Sequence, residues 1–167
     1  MIDVVHGDIT DQDDVAVIVN AANAELKPGG GVAGAIHHKA GPSLWEECKP
    51  LAPITVGQAV MTNAYDLPNE KVIHVLGPRY GQDRPEDDLL SDAYRNALMI
   101  ADEHKYRSIA FPAISTGAFG FPFDKATKIA LETVEETMKI VDFIQTVRFV
   151  LYTEDDYNRF KHIKESM

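Results

Sequence analysis

A chain of 167 residues, 45% of them hydrophobic, has the length of one ordinary domain and is too apolar to stay disordered. A formal charge of −10, from 26 acidic and 16 basic residues, argues against the sequence-independent grip on long nucleic acid that many Lys and Arg contacts to phosphate provide. The lone Cys48 forms no internal disulfide or multi-thiolate metal site. No apolar run reaches the ~20 residues of a membrane span, and no basic stretch followed by an apolar block opens the chain. One domain over residues 1–167, monomeric and cytoplasmic, is the expectation.

Residues 3–6 and 15–19 read as strands, short, β-branched and bounded by polar turn residues. A loop of Asn, Pro and three consecutive glycines runs from Asn20 to Gly31, and Val32–Ala40 reads as a short helix. Residues 58–63 and 72–76 are the next two strands, parted by a turn around Leu67-Pro68-Asn69. Glu86-Asp87-Asp88 is an acidic first turn, after which Leu90, Ala93, Ala97, Ile100 and Ala101 keep the spacing of one helical face. Ser108–Phe111 is a strand ending at Pro112, and a loop follows to Phe123. Asp124 reads as the N-cap of a helix whose buried stripe is Ala126, Ile129, Ala130, Val134, Met138 and Val141. Val147–Tyr152 is the last strand, and a terminal helix starts near Glu154. This alternation predicts an α/β fold, a central and mostly parallel sheet with helices on both faces. Ligands of such sheets sit beyond the carboxyl ends of the strands, and loops 20–31 and 112–123 both follow strands.

The first loop runs Asn20-Ala21-Ala22-Asn23 through Pro28-Gly29-Gly30-Gly31-Val32-Ala33-Gly34. Its glycines admit a ligand close to the backbone, and the helix behind them offers unpaired N–H groups; a plain flexible turn explains them equally well. Gly29, Gly31 and Gly34 fit G-x-G-x-x-G, but about ten residues part them from the strand that a dinucleotide fingerprint must follow directly. The second loop, Pro112 to Pro122, holds Ser115 and Thr116, two glycines and two aromatics, without Lys or Arg. Its N–H groups and hydroxyls suit phosphate oxygens. Phe119 suits a sugar face or the core, Phe121 the core. Asp8, after Gly7, serves an exocyclic amine or caps a turn. The six histidines form no metal motif: His37 and His38 would point about 100° apart on a helix, and His74 reads as a core histidine.

Taken together, Gly7-Asp8-Ile9-Thr10, Asn20-Ala21-Ala22-Asn23, the Gly29–His37 run, Val72-Ile73-His74 with Gly77-Pro78, and Ser115-Thr116-Gly117 through Pro122 resemble the macro domain family. The nearest branch looks like the MacroD-type group of O-acetyl-ADP-ribose deacetylases and mono-ADP-ribosyl hydrolases. The resemblance implies a three-layer α/β/α sandwich with a mixed sheet, and ADP-ribose or an ADP-ribosylated protein as partner. It implies no metal and no cofactor. By the same resemblance, Asp8 and Ile9 serve the adenine and Tyr152 stacks on it. Gly30, Gly31 and Val32 line the diphosphate and distal ribose, with Asn20 among the ligand-binding positions. Ser115, Thr116, Gly117, Ala118 and Phe119 cradle the diphosphate, and Asn23 orients the distal ribose as the catalytic residue. One position departs from the pattern. Ala33 stands where MacroD-type hydrolases carry an aspartate, which leaves two readings, an ester hydrolase and a non-catalytic reader of ADP-ribose.

Overall fold

The computed structural model describes residues 1–167. In chain order the elements are β1 (Ile2–His6), β2 (Val17–Ala21), α1 (Gly31–Ala40), α2 (Pro42–Cys48), a single 3₁₀ turn (Lys49–Leu51), β3 (Ala59–Asn63), β4 (Lys71–Val75), α3 (Glu86–Glu103), β5 (Ser108–Phe111), α4 (Phe123–Met138), β6 (Thr146–Leu151) and α5 (Glu154–Ser166). The strands form one sheet in the order β1-β6-β5-β2-β4-β3. Every pairing is parallel except that of β3 with β4 at one edge. The α/β architecture with a mixed, mostly parallel sheet expected from the sequence is the one found.

Period-two alternation along the strands sorts side chains onto the two faces. Val17, Val19, Ile109, Phe111, Val147 and Phe149 join the core packed against α3, α4 and α5. Their neighbours Ile18, Ala110 and Val150 point the other way, onto Ile36 and Ala40 of α1 and Leu44 and Cys48 of α2. With both faces covered, β2 is apolar on both sides over Val17–Val19 and turns polar only at the buried Asn20. No helix is long and apolar enough to cross a membrane.

Three details depart from the sequence reading. The β2 ladder starts at Val17, paired with Lys71, and continues to Ala21, paired with Val75, two residues later than expected. Ala16 lies outside it because its N–H donates to Ser108 Oγ and its carbonyl accepts from Glu70. The shift draws Asn20 out of the loop and into the strand. α2 was not expected at all: Gly41-Pro42 reads as a stop, yet Gly41 turns the chain at φ 90° and Pro42 starts a new helix at its first position. The N-cap of α4 is Pro122, and Asp124 sits in the first turn, bonded to Arg159 at 2.6 Å. At the far end of the sheet, the buried Asp102 carboxylate accepts from the N–H groups of Asp142, Phe143 and Ile144, fastening the end of α3 to the turn before β6.

Candidate functional site

The carboxyl ends of β2, β5 and β6 border a cleft of about 500 Å³, within the range of small-molecule sites. Four chain segments line it: Ala21–Asn23 at the end of β2, Gly29–Ala33 leading into α1, most of Pro112–Phe119 after β5, and Val150–Tyr152 with Asp156 of α5. No lysine or arginine is among them. What the cleft offers an anion is backbone. The N–H groups of Gly117, Ala118 and Phe119 donate to nothing within the chain, and neither do those of Gly31, Val32 and Ala33 in the first turn of α1. Two sets of free N–H dipoles bordering one cleft, one of them at a helix N-terminus, suit phosphate oxygens without a basic side chain.

The second loop is held in a costly shape. Ser115 adopts φ 67°, a left-handed conformation that non-glycine residues rarely take. Its carbonyl accepts from Phe121 N–H at 2.9 Å, and Thr116 Oγ1 donates to Ala113 O at 2.8 Å. Behind the loop, the Tyr94 hydroxyl, buried in α3, accepts from Ile114 N–H at 3.1 Å and donates to Pro112 O at 3.4 Å. Burial pushes that phenol above its ordinary range. Gly77 completes the brace, because a methyl group there would meet Ser115 Oγ at 2.2 Å and Ile114 Cγ2 at 2.6 Å. Tyr80 N–H donates to Phe119 O at 2.8 Å, tying the loop after β4 to the rim of the cleft.

Asn23 lines the cleft while its amide closes its own turn: Nδ2 donates to Lys27 O and Oδ1 accepts from Lys27 N–H, each at 2.9 Å. One amide hydrogen and one lone pair remain free. A methyl group on Gly29 would lie 3.5 Å from Asn23 Nδ2, so the glycine segment packs against this amide. Gly30, Gly31, Val32, Ser115, Thr116, Gly117, Ala118, Phe119 and Tyr152 line the same cleft. Tyr152 is 76% exposed, a free aromatic face at the end of β6, whereas Phe121 is buried.

Three positions named from the sequence stand outside the lining residues. Asp8 is brought to the same corner as Tyr152, since Gly7 N–H donates to Leu151 O. Its Oδ1 accepts from Thr10 N–H and Thr10 Oγ1, the turn-capping role that the sequence also allowed. Ile9 is buried in the core beside α1. Asn20, 1% exposed, lies 3.0 Å through Nδ2 from His74 Nδ1 and reaches the cleft only through the loop it precedes. His74 in turn meets Thr62 Oγ1 at 2.9 Å and Cys48 Sγ at 3.8 Å. Burial, then the neighbouring His37, pushes its pKa down to about 3, and burial pushes Cys48 up to about 11. These are neutral structural groups. No cluster of three or more His, Cys, Asp or Glu is arranged to hold a metal ion.

The lining residues to which the sequence assigned no role are Ala21, Ala22, Pro112, Ala113, Val150, Leu151 and Asp156, while Gly29 and Ala33, singled out there without a binding role, line it too. Most are small or apolar and carry no chemical signature. Asp156 fell only within the terminal helix placed from about Glu154, and its N–H is capped by Thr153 Oγ1.

The family model for the macro domain matches residues 19–130, the span that holds both loops. The chain belongs to the macro domain family. Among curated macro domain relatives, an O-acetyl-ADP-ribose deacetylase of Enterobacter cloacae is 46% identical over 167 residues, covering 97% of this chain and 92% of the relative. A macro domain-containing protein of Methanosarcina mazei is 47% identical, covering 88% and 79%. Among solved structures, the Oceanobacillus iheyensis macrodomain with ADP superposes with a TM-score of 0.93 at 38% identity, covering 98% of this chain and 89% of that one. The Trypanosoma brucei macrodomain in complex with ADP-ribose gives 0.90 at 36% identity, covering 96% and 68%.

Proposed function

We propose that this macro domain binds ADP-ribose in the cleft and hydrolyses esters on its distal ribose. The observation that carries the reading is the pair of loops presenting unpartnered N–H groups to one cleft with no basic side chain in its lining. A diphosphate lies between Gly30-Gly31-Val32 and Ser115–Phe119, solvated by fixed dipoles that need no rearrangement. Tyr152 offers its exposed ring to the adenine, and Asp8, with Oδ1 committed to Thr10, offers its other oxygen to the adenine amine. Ile9 supports that corner from the core, and Asn20 supports the loop from below. The distal ribose then reaches Asn23, whose free amide hydrogen and lone pair orient a hydroxyl.

In the reaction, water attacks the ester. Its oxygen ends on the released acid, the ribose hydroxyl regains a proton, and ADP-ribose leaves. Relatives named O-acetyl-ADP-ribose deacetylase support a small acyl ester as one substrate. An acyl-linked acidic side chain of an ADP-ribosylated protein is the same bond with a larger group attached.

Ala33 favours a second reading. It lines the cleft in the first turn of α1 and presents a methyl group that neither accepts a hydrogen bond nor takes a proton. On that reading the protein is a reader that holds ADP-ribose with little turnover. Calorimetric titration with ADP-ribose, followed by an assay for loss of O-acetyl-ADP-ribose, separates the two. Micromolar binding with turnover is the expected result. Binding without turnover selects the reader, and a folded sample that binds no ADP-ribose overturns both.

A further inference from the structure

A second hollow of about 260 Å³ opens beside the cleft. Its lining includes Pro28, His37, His38, Pro42 and Trp45. Gly29 lines this hollow as well as the cleft, so one stretch of backbone separates the two spaces. That backbone has no room to spare: a methyl group on Gly34 would stand 2.2 Å from Gly29 O. The cleft side of Gly29 is the side that packs against Asn23 Nδ2. His37 is 6% exposed, and neither of its ring nitrogens has a hydrogen-bond partner in the chain. Indole and proline rings therefore meet here beside an imidazole whose two nitrogens are closed off from solvent.

We propose that this hollow receives the residue flanking the modified carboxylate of an ADP-ribosylated protein, an apolar or aromatic side chain laid against Trp45. The inference rests on the ADP-ribose reading and adds the substrate class. A group esterified to the distal ribose at Asn23 leaves the cleft over Gly29, and the next space it meets is the hollow. An acetyl group ends before reaching it, whereas a peptide does not. At about 260 Å³ the hollow falls below the ~300 Å³ at which sites for free small molecules begin. A side chain tethered through the ADP-ribose needs only weak affinity there, because tethering raises its local concentration into the millimolar range.

Trp45 is the only tryptophan in the chain, so its emission reports occupancy of the hollow in the unaltered protein. The probes are free ADP-ribose and ADP-ribose joined by a hydrolysis-resistant link to a short peptide, with Phe or Gly beside the modified position. Free ADP-ribose is expected to bind by calorimetry and leave Trp45 emission unchanged. The Phe peptide is expected to shift that emission and bind roughly tenfold more tightly, and the Gly peptide to lose the gain. Trp45→Ala should remove the gain and keep the affinity for free ADP-ribose. Equal affinity and equal emission for free and Phe-linked ADP-ribose overturn the proposal. So does a Trp45→Ala loss that is the same for both, which marks Trp45 as structural support. In each of these cases ADP-ribose binding itself survives; its absence in calorimetry overturns the ADP-ribose reading and the hollow's role with it.

Discussion

Gly77 has no side chain because Ser115 occupies the space one would need. Gly77→Ala should displace the 115–119 loop, turning its free N–H groups away from the cleft. ADP-ribose binding is expected to weaken roughly tenfold or more, with the far-ultraviolet circular dichroism unchanged. Tyr94→Phe acts from the other side of the loop. It leaves Ile114 N–H buried without its acceptor and should cost about 1–3 kcal/mol of stability, read by urea unfolding. In the cleft itself, Asn23→Ala should slow ester turnover more than it weakens binding. An equal effect on both would assign Asn23 to closing the Lys27 turn. The glycines and hydroxyls of the two loops stood out in the sequence because their chemistry is unusual at such density. Tyr94 carried no signal of its own and Gly77 stood out only within the Gly77-Pro78 motif, since their effect on the loop arises only when α3 and the end of β4 are packed behind it.

At the scale of elements, Thr153 is the one helix cap made by a side chain, accepting from Asp156 N–H at 3.1 Å. Thr153→Ala should cost about 1 kcal/mol and lower the melting temperature by roughly 2–4 °C. Because Asp156 lines the cleft, a small loss of ligand affinity should accompany it. Strands and long helices were readable because hydrophobic period and secondary-structure period coincide in them, as in α3, where Leu90, Ala93, Ala97 and Ala101 are all buried. α2 was not, since seven residues that begin at the proline of Gly41-Pro42 carry too few turns to show a period. The late start of β2 escaped for another reason: Val15 and Ala16 continue the apolar run of their successors, and it is the distant Ser108, Glu70 and Lys71 that claim Ala16's backbone groups.

For the whole molecule, the buried imidazoles set the acid side of the stability curve. His74 and His37 both have lowered pKa values in the fold, whereas the unfolded chain takes up their protons near pH 6.5. Below that pH the unfolded state binds more protons than the native one, so stability falls with falling pH, by about 1.4 kcal/mol per pH unit for each proton. For His74 the decline continues until its folded pKa, about 3. His74→Gln should flatten the curve between about pH 6.5 and 5 in denaturant titrations. Asp102 enters later. Burial raises its pKa, but the three N–H donors outweigh burial and the net shift is downward. Its contribution is thus present above about pH 4 and lost below it, so Asp102→Asn should lower stability above that pH and flatten only the lower limb of the curve.

The strand order has a consequence for synthesis. β6 fills the gap between β1 and β5, and it supplies one border of the cleft. Pairings between residues so far apart in sequence form slowly, because the intervening chain must be closed before any contact rewards it. On the ribosome β1 emerges first and waits, its partner still untranslated, until residues 146–151 leave the exit tunnel. The nascent chain therefore carries the first glycine loop for most of its translation, and the second from about residue 123 onward, without a complete place for a nucleotide to bind. Ligand capture becomes a test that only a finished sheet passes.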